Sequence, residues 1–303
     1  MILFRKFKSM VKLMHYSYLS RHNPQELADR LYIDATGNKN GINWESPIDL
    51  NEKINWLKFN SDTTKWSELA DKYVVRKFIE EKGYKQYLVP LLGVCENAND
   101  IDFSKLPDSF VLKTNNGAGT VMVVEDKALI SQRRVKTQLN NWLRMSFGLK
   151  QAEPHYLRIK PLIIAESLLR DESGISSSLI DYKIWCFNGK AFGTWVCYNR
   201  HRFEADTEWH DIEWTYRPER LVYTNHYRDG GGGVPKPKNY EKMISFAEDL
   251  SKGFPQVRVD LYNKEGHIYF GEMTFTALGG YNNTYSKETL LEMGKLTKIP
   301  TDR

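Results

Sequence analysis

The stretch that decides the fold class is VRVDLYNKEGHIYFGEMTF, residues 257–275. Apolar and polar residues alternate on both sides of the turn sequence NKEG, and alternation at period two is typical of β-strands. A short turn that contains glycine between two such segments predicts a β-hairpin. We therefore expect residues 256–262 and 267–275 to form two antiparallel strands of a packed sheet.

Polar residues that could carry chemistry lie on both arms of this hairpin. Because side chains two residues apart share a strand face, Arg258 shares a face with Asp260, and Glu272 shares one with Thr274. A suitable register would bring the two carboxylates together, as Mg²⁺ requires beside nucleotide phosphates. The alternative is a solvated strand face. The apolar neighbours on both arms favour a packed sheet, in which the acids need a partner.

A second candidate site precedes the hairpin in a strand–loop–strand unit. Residues 110–113 have the pattern of a buried strand that ends in Lys113, and residues 121–124 form the next strand. The loop between them contains Gly117, Ala118 and Gly119, whose backbone N–H groups could face a phosphate. The order of residues is not that of a Walker A loop, so an ordinary hairpin turn is the alternative.

Two further charged residues lie on predicted strands. Lys183 alternates with apolar neighbours in DYKIW, residues 181–185, and could point into a cleft as a phosphate ligand. A surface lysine with its stem along the protein is the alternative. Glu166 ends the apolar strand 162–166 before a linker rich in serine and glycine, where it could line a hinge beside an adenine ring. A strand-end acid without a function is equally consistent with the pattern.

The remaining periodicity mixes helices with strands, which predicts an α+β fold. Helices are expected over residues 49–59, 67–83, 131–147 and 240–252. Further strands are expected over residues 179–187 and 191–198. The helix at 67–83 is predicted to bury one side, formed by Leu69, Tyr73, Val74 and Phe78. Residues 195–227, rich in aromatic residues and histidine, could form a substrate-recognition insert or a packed surface loop.

Composition excludes several classes of protein. The chain has 303 residues, of which 41% are hydrophobic, and a net charge of +5, which predicts no nucleic-acid partner but suits anionic substrates. Three widely spaced cysteines predict neither a disulfide framework nor a zinc site, and hence a reducing, cytoplasmic location. The basic, partly apolar residues 1–20 are too interrupted to span a membrane. They could pack on the domain or contact the inner face of a membrane peripherally.

Four motifs taken together resemble a known family. They are LNEKINWLKF (residues 50–59), ADKYVVRKF (70–78), DYKIWCFNGKAF (181–192) and the hairpin sequence 257–275. With the strand lysine and its glycine loop, they make residues 49–294 resemble the TupA-like ATP-grasp proteins, which are named for teichuronopeptide biosynthesis and are found among bacterial cell-surface polysaccharide genes. The resemblance implies an ATP-grasp fold with ATP between a central lid domain and a C-terminal antiparallel-sheet domain. It implies a helical N-terminal region at 1–106, the lid at 107–168 and the C-terminal domain at 169–303.

The resemblance also implies a set of nucleotide-binding residues. They are Lys72, Lys113, Gly117, Ala118, Gly119, Glu166, Leu168 and Lys183. In this assignment the lysines at 72 and 113 hold the ATP phosphates, and the glycine loop closes over them. Residues 166 and 168 lie at the adenine hinge, and the lysine at 183 approaches the γ-phosphate.

Metal binding is implied for three hairpin residues. Asp260, Glu272 and Thr274 correspond to the family's Mg²⁺ ligands, but many ATP-grasp ligases have asparagine in place of Thr274. A hydroxyl is a weaker oxygen donor than an amide carbonyl, so a second Mg²⁺ is in question. Asn282 or Asn283, which follow a glycine pair, could compensate.

The implied reaction is ATP-dependent ligation of a carboxylate to an amine through an acylphosphate. Arg258 and Lys183 are the implied catalytic residues, and the substrates would be an amino acid and a carboxylate of a bacterial surface polysaccharide or its precursor. The alternatives are a glycosyltransferase, a sugar kinase, or a binding module that has lost turnover. A glycosyltransferase needs a DxD metal motif, and only Asp100-Ile101-Asp102, in a predicted loop, has these letters.

Overall fold

A computed structural model describes the backbone of residues 2–201 and 203–300 and the side chains of residues 11–201 and 203–300. Its α-helices are α1 Ile2–His22, α2 Pro24–Thr36, α3 Leu50–Asn60, α4 Thr64–Ala70, α5 Val75–Glu81, α6 Gln132–Leu143, α7 Pro154–Leu157, α8 Tyr240–Ser251 and α9 Lys287–Leu296. Its strands are β1 Leu91–Cys95, β2 Phe110–Thr114, β3 Val121–Val124, β4 Ile163–Ser167, β5 Asp181–Phe187, β6 Lys190–Tyr198, β7 Ala205–His210, β8 Tyr227–Asp229, β9 Val257–Lys264 and β10 His267–Thr274.

The predicted hairpin is confirmed as β9 and β10. The strands join through Glu265 and Gly266, whose φ angles are 54° and 96°. Positive φ at both central residues is the geometry of a type I′ turn, which matches the twist of the strands it connects. The hairpin forms one edge of a six-stranded sheet of order β10-β9-β5-β6-β7-β8. Adjacent strands are antiparallel, as predicted, except that β7 and the short edge strand β8 pair in parallel.

A four-stranded antiparallel sheet of order β1-β4-β2-β3 carries the predicted strand–loop–strand unit. Phe110 and Leu112 on β2 are buried against α6, while Val111 and Lys113, on the other face, are only partly covered. One face of the sheet therefore forms a core, and the other is available to a ligand. The predicted domain boundaries stay a prediction; β1 lies before residue 107 and pairs with β4.

The largest core lies beneath the six-stranded sheet. Helix α8 covers one face, where Phe246 and Met243 pack against Ile184 and Val259. Trp185, Trp195, Trp209 and Tyr285 form a separate core cluster. The aromatic residues at 195 and 209 are thus part of the core, and β7 and β8 extend the sheet. Packing therefore accounts for much of this aromatic segment.

The helix predicted over residues 67–83 is broken in the structure. Helix α4 ends at Ala70 and α5 begins at Val75. Asp71 between them is extended, and its Oδ1 accepts hydrogen bonds from the backbone N–H groups of Tyr73 (2.8 Å) and Val74 (3.1 Å). An aspartate that bonds its own downstream backbone competes with helix continuation. Tyr73 and Val74 are 39% and 44% exposed, so their predicted burial was wrong.

The other predicted helices are confirmed, with ends that differ from the prediction by one residue, except for the C-terminal end of α6. Helix α3 begins with a capping box, in which the Asp49 side chain accepts from the backbone N–H group of Glu52 and the Glu52 side chain accepts from the backbone N–H group of Asp49. Helix α6 ends at Leu143 rather than at residue 147, because the chain turns there into a 3₁₀ turn at Phe147–Leu149. No described helix is long and apolar enough to cross a membrane. The predicted membrane contact falls mainly on residues 1–10, whose side chains lie outside the described residues.

Candidate active site

A cavity of about 910 Å³ lies between the two sheets. Strands β2, β3 and β4 provide one wall, and β5, β9 and β10 provide the other. Its lining includes apolar side chains, among them Val89, Val111, Leu168, Leu179 and Phe270. It also includes many charged side chains. A ligand that combines an apolar ring with several negative charges would suit such a mixed lining.

Nearly all of the predicted site residues line this one cavity. They are Lys72, Lys113, Gly117, Ala118, Gly119, Glu166, Leu168, Lys183, Asp260 and Glu272. Arg258 and Thr274 do not line it, but they contact residues that do. The predicted roles of these residues stay predictions. Their assembly from five separate segments of the chain is a property of the fold.

The register of the hairpin brings the two carboxylates together. Asp260 pairs directly with Glu272, and Arg258 with Thr274. The pairing shifts by one residue between Phe270 and Glu272, at a β-bulge on Gly271. A Cβ atom at Gly271 would lie 2.8 Å from the carbonyl oxygen of Asp260, so the bulge requires glycine. Without the shift, Glu272 would lie opposite Val259, on the other face of the sheet.

Asp260 is the centre of a buried charge cluster. Arg258 donates to both of its oxygens, from Nε at 2.7 Å and from Nη2 at 2.8 Å, and Lys183 Nζ donates to Oδ2 at 2.7 Å. Burial lowers the pKa of Lys183, but Asp181 and Asp260 outweigh it and hold the pKa above its ordinary value. Lys183 therefore stays charged at neutral pH. Buried charges of this kind are stable only because they are paired.

Glu272 forms an ion pair with Lys72, which lies in the break between α4 and α5. Lys72 Nζ lies 3.2 Å from Glu272 Oε2 and donates to the carbonyl oxygen of Gly117 at 2.7 Å. Burial raises the pKa of Glu272, but Lys72, Lys183 and Arg258 together hold it well below its ordinary value. Lys72 thus links Glu272, a predicted metal ligand, to the glycine loop. A continuous helix over residues 67–83 would not allow the same turn of the backbone at residue 71.

Lys113 has a carboxylate partner on the neighbouring strand. Its Nζ lies 2.6 Å from Glu166 Oε2, and Arg76 Nη1 lies 3.4 Å from Glu166 Oε1. Arg76 also donates to the carbonyl oxygen of Val89 at 3.0 Å. Each of the three lysines predicted to bind phosphate is therefore paired with a carboxylate. Nucleotide phosphates could replace the carboxylates as partners of the lysines, and a metal cation could replace the lysines as partner of the carboxylates. Arg76 was missed in the sequence, although its spacing of four residues from Lys72 is typical of one helix face.

The glycine loop is tightly packed at one position only. A Cβ atom at Gly117 would lie 2.6 Å from Cγ of Phe147, whereas one at Gly119 would have no atom within 4 Å. Gly119 instead has a φ angle of 75°, which favours glycine for conformational reasons. The two glycines are therefore needed for different physical reasons.

Thr274 is placed to assist Glu272. Its hydroxyl donates to Glu272 Oε1 at 3.0 Å and accepts from Arg258 Nη2 at 3.3 Å. The suggested substitutes do not line the cavity. Asn282 is buried and its amide group donates to Asn51 at 2.8 Å, and Asn283 is exposed. The suggestion that either asparagine compensates for Thr274 finds no support in this arrangement.

Two charged cavity residues were also missed in the sequence. Asp181 is buried, and its Oδ2 lies 3.4 Å from Lys183 Nζ and forms an ion pair with Arg200. Period-two alternation in DYK could have indicated Asp181, because it shares a strand face with Lys183. Arg200 lies in the loop after β6, where no periodic pattern applies.

The DxD letters lie outside this site. Asp100 and Asp102 are exposed and do not line the cavity. Asp102 accepts from the N–H group of Ser104 at 3.0 Å and pairs with Lys105. These contacts are those of a capped surface turn. Among the described residues, moreover, no group of three or more His, Cys, Asp or Glu side chains could hold a metal by itself.

Comparison with protein families identifies the chain. The family model described as TupA-like ATPgrasp matches residues 52–298. The chain belongs to the TupA-like ATP-grasp family. The match confirms the family and the fold class predicted from the sequence. The matched residues include the three lysines predicted to bind phosphate and the whole hairpin.

Solved structures similar to this TupA-like ATP-grasp protein include two kinds of ligase. D-alanine–D-alanine ligase from Bacillus anthracis, complexed with ATP, is 13% identical with a TM-score of 0.41, over 82% of this chain and 68% of that one. The ATP-grasp ligase PsnB, complexed with minimal precursor, Mg and ADP, is 11% identical with a TM-score of 0.41, over 82% and 66%. The chain thus spans about two thirds of their length. Values this low carry over no reaction. No curated protein matches the chain.

Proposed function

We propose that this protein is an ATP-dependent carboxylate–amine ligase that forms an acylphosphate intermediate. The observation that carries the proposal is the cavity between the sheets, in which Lys72, Lys113 and Lys183 each meet a carboxylate. Three lysines on three different elements provide point charges for a chain of phosphates. The apolar side chains of the same cavity suit an adenine ring.

Mg²⁺ fits the donor set at the hairpin. Asp260 and Glu272 present hard carboxylate oxygens on directly paired residues, and Thr274 adds a hydroxyl beside them. Two carboxylates leave positions for phosphate oxygens and water, which is how Mg²⁺ binds in nucleotide enzymes. When bound, the ion would neutralise charge on the phosphates. Lys72 and Lys183, which contact these carboxylates, would then be available to the phosphates.

The chain's own residues supply the other requirements of the reaction. Lys113 and Lys183 would neutralise the γ-phosphoryl group as it is transferred to a substrate carboxylate. Arg258, held by Asp260, would stabilise the oxyanion that forms when an amine attacks the acylphosphate. The glycine loop, held by Lys72, would cover the phosphates and exclude water from the labile intermediate. Phosphate would leave and an amide bond would remain.

For the substrates, we propose an amino acid and a carboxylate of a bacterial surface polysaccharide or its precursor. The family's association with teichuronopeptide synthesis supports this choice. We place the reaction in the cytoplasm, since Cys95, Cys186 and Cys197 have free thiols. A peripheral contact between the basic N-terminal segment and the inner face of the membrane would bring the enzyme to a lipid-linked polymer.

The test is Mg²⁺-dependent release of ADP and phosphate from ATP against a panel of uronic acids and amino acids. Wild type is compared with Asp260→Asn and Lys113→Ala. The matched controls are Asp211→Asn and Lys82→Ala, because these residues form ion pairs outside the cavity, with Arg217 and Asp249. Release should require both an acid and an amine, and only the cavity variants should abolish it.

Three results would contradict the proposal in different ways. ADP release with a sugar and no amine requirement would indicate a kinase. Tight ATP binding without turnover on any pair of acid and amine would indicate a binding module. Wild type that binds no adenine nucleotide would refute an ATP-dependent activity altogether.

A further inference from the structure

We propose that Arg200 contacts a phosphate of the bound nucleotide, and that Asp181 orients its guanidinium group for this contact. This inference rests on the proposed function, because it assumes that the cavity binds ATP. Arg200 lies outside the sequence motifs of the site, and Asp181 is the first residue of the DYKIW motif but has no predicted role there.

Arg200 is held at the cavity wall from two sides. Its backbone N–H group donates to Ser178 Oγ at 2.9 Å, and the preceding Asn199 donates to Ser176 Oγ at 2.9 Å. The Asn199 side chain accepts from the Ser177 N–H group at 2.9 Å. These bonds join the loop after β6 to the linker before β5. The guanidinium group is therefore attached to a fixed backbone rather than to a loose loop.

The Arg200 side chain is held by an ion pair and is still partly exposed. Asp181, which is buried, forms an ion pair with Nη1 of Arg200. The side chain of Arg200 is nevertheless 45% exposed, and Asp181 is its one ion-pair partner among the described residues. A guanidinium group has five N–H donors in a planar fork, so several remain for a ligand. A half-exposed arginine held by a buried carboxylate is pre-organised to bind an anion.

The charge balance around Arg200 favours an anionic ligand. Asp181 Oδ2 is shared between Arg200 and Lys183, and Asp260 is shared between Lys183 and Arg258. Glu272 in turn lies 3.8 Å from Arg258 and 3.2 Å from Lys72. Four cations thus share three carboxylates, which leaves an excess of one positive charge on this wall. In a partly buried site such an excess is costly unless an anion compensates for it.

Arg200 lies on the same wall of the cavity as Lys183. Both residues line the cavity, and both contact Asp181, whose Oδ2 lies 3.4 Å from Lys183 Nζ and forms the ion pair with Arg200. Lys183 is the predicted ligand of the γ-phosphate. A nucleotide whose phosphates reach Lys183 would therefore bring a phosphate close to Arg200.

The experiment compares the affinities of ADP and adenosine by calorimetry at fixed Mg²⁺ and salt. Arg200→Gln should weaken ADP binding by about tenfold to a hundredfold, because a hydrogen bond to a charged group is lost. Adenosine binding should change by less than about twofold. Arg200→Lys keeps a charge beside Asp181 and loses the fork, so an intermediate loss of about threefold to tenfold is expected.

Arg217→Gln is the matched control, because Arg217 is 46% exposed and also pairs with an aspartate, Asp211, outside the cavity. It should leave both affinities within about twofold of wild type. If Arg200→Gln fails to fold, Arg200→Lys still tests the contact. ADP binding unchanged in the Arg200 variants, or adenosine weakened as much as ADP, would overturn the role of Arg200 alone. Wild type that binds neither ligand would overturn the proposed function with it.

Discussion

Substitution by alanine should affect the two glycines of the glycine loop, Gly117 and Gly119, for different reasons. In Gly117→Ala, the new Cβ atom would lie 2.6, 2.7 and 2.9 Å from Cγ, Cδ2 and Cβ of Phe147. Ordinary carbon contacts are about 3.5–4.0 Å, so the loop or the ring must move by about 1 Å. Neither moves easily, because Lys72 holds the Gly117 carbonyl at 2.7 Å and Phe147 packs on Tyr156. Overpacking of this kind costs about 1–3 kcal/mol.

Gly119→Ala provides the internal comparison. No atom lies within 4 Å of its Cβ position, but its φ angle of 75° costs a residue with a side chain about 1–2 kcal/mol. Both single variants should therefore lose stability by similar amounts for different reasons. Replacing Phe147 with alanine removes the two ring atoms beside residue 117, keeps its Cβ atom at 2.9 Å, and leaves the backbone at residue 119 unchanged.

The assay is a pair of double-mutant cycles, with the free energy of unfolding in urea and the affinity for ADP as readouts. Phe147→Ala should partly restore Gly117→Ala, with a coupling of about 1 kcal/mol, and should couple to Gly119→Ala by less than about 0.5 kcal/mol. ADP affinity should recover in the first double variant only. Equal coupling at both glycines, or none at Gly117, would refute the claim that packing explains Gly117.

Three further predictions concern buried groups around the site. Lys58→Met should lower the free energy of unfolding in urea by about 2–4 kcal/mol, because the buried Lys58 Nζ donates to the carbonyl of Gly279 at 2.8 Å; unchanged stability would show that this bond is unimportant. Burial lowers the pKa of His155 to about 3, so between pH 3 and its ordinary value of 6.5 the unfolded chain binds more protons and stability falls as the pH falls. Between about pH 7 and about pH 5 the free energy of unfolding should fall by about 2 kcal/mol for this reason. The fall should be absent in His155→Leu; the same fall in both proteins would show that His155 does not cause it. Asp71→Ala should lower the free energy of unfolding by about 1 kcal/mol and weaken ADP binding, because the N–H groups of Tyr73 and Val74 lose their acceptor. Asp71→Asn, which keeps an acceptor, should stay near wild type, and equal loss in both variants would contradict this role of the side chain.

Much of the site could be predicted because its residues alternate on strands. A period of two places Arg258 with Asp260 and Glu272 with Thr274 wherever the strands form, and it places Asp181 with Lys183 in the same way. The glycine turn after Lys113 is also a local signal. Helix ends were harder to predict. Asp71 satisfies two backbone N–H groups that a continuous helix would have used, and only that break brings Lys72 to the cavity.

The sequence by itself determined the hairpin, the faces of its charged residues and the family to which the chain belongs. The tertiary structure alone decided which residues meet. A bulge at Gly271 brings Glu272 opposite Asp260, and the loop after β6 brings Arg200 to Asp181. The physical reason is that alternation follows from the geometry of a single strand, whereas register and loop position depend on contacts between residues far apart in the chain.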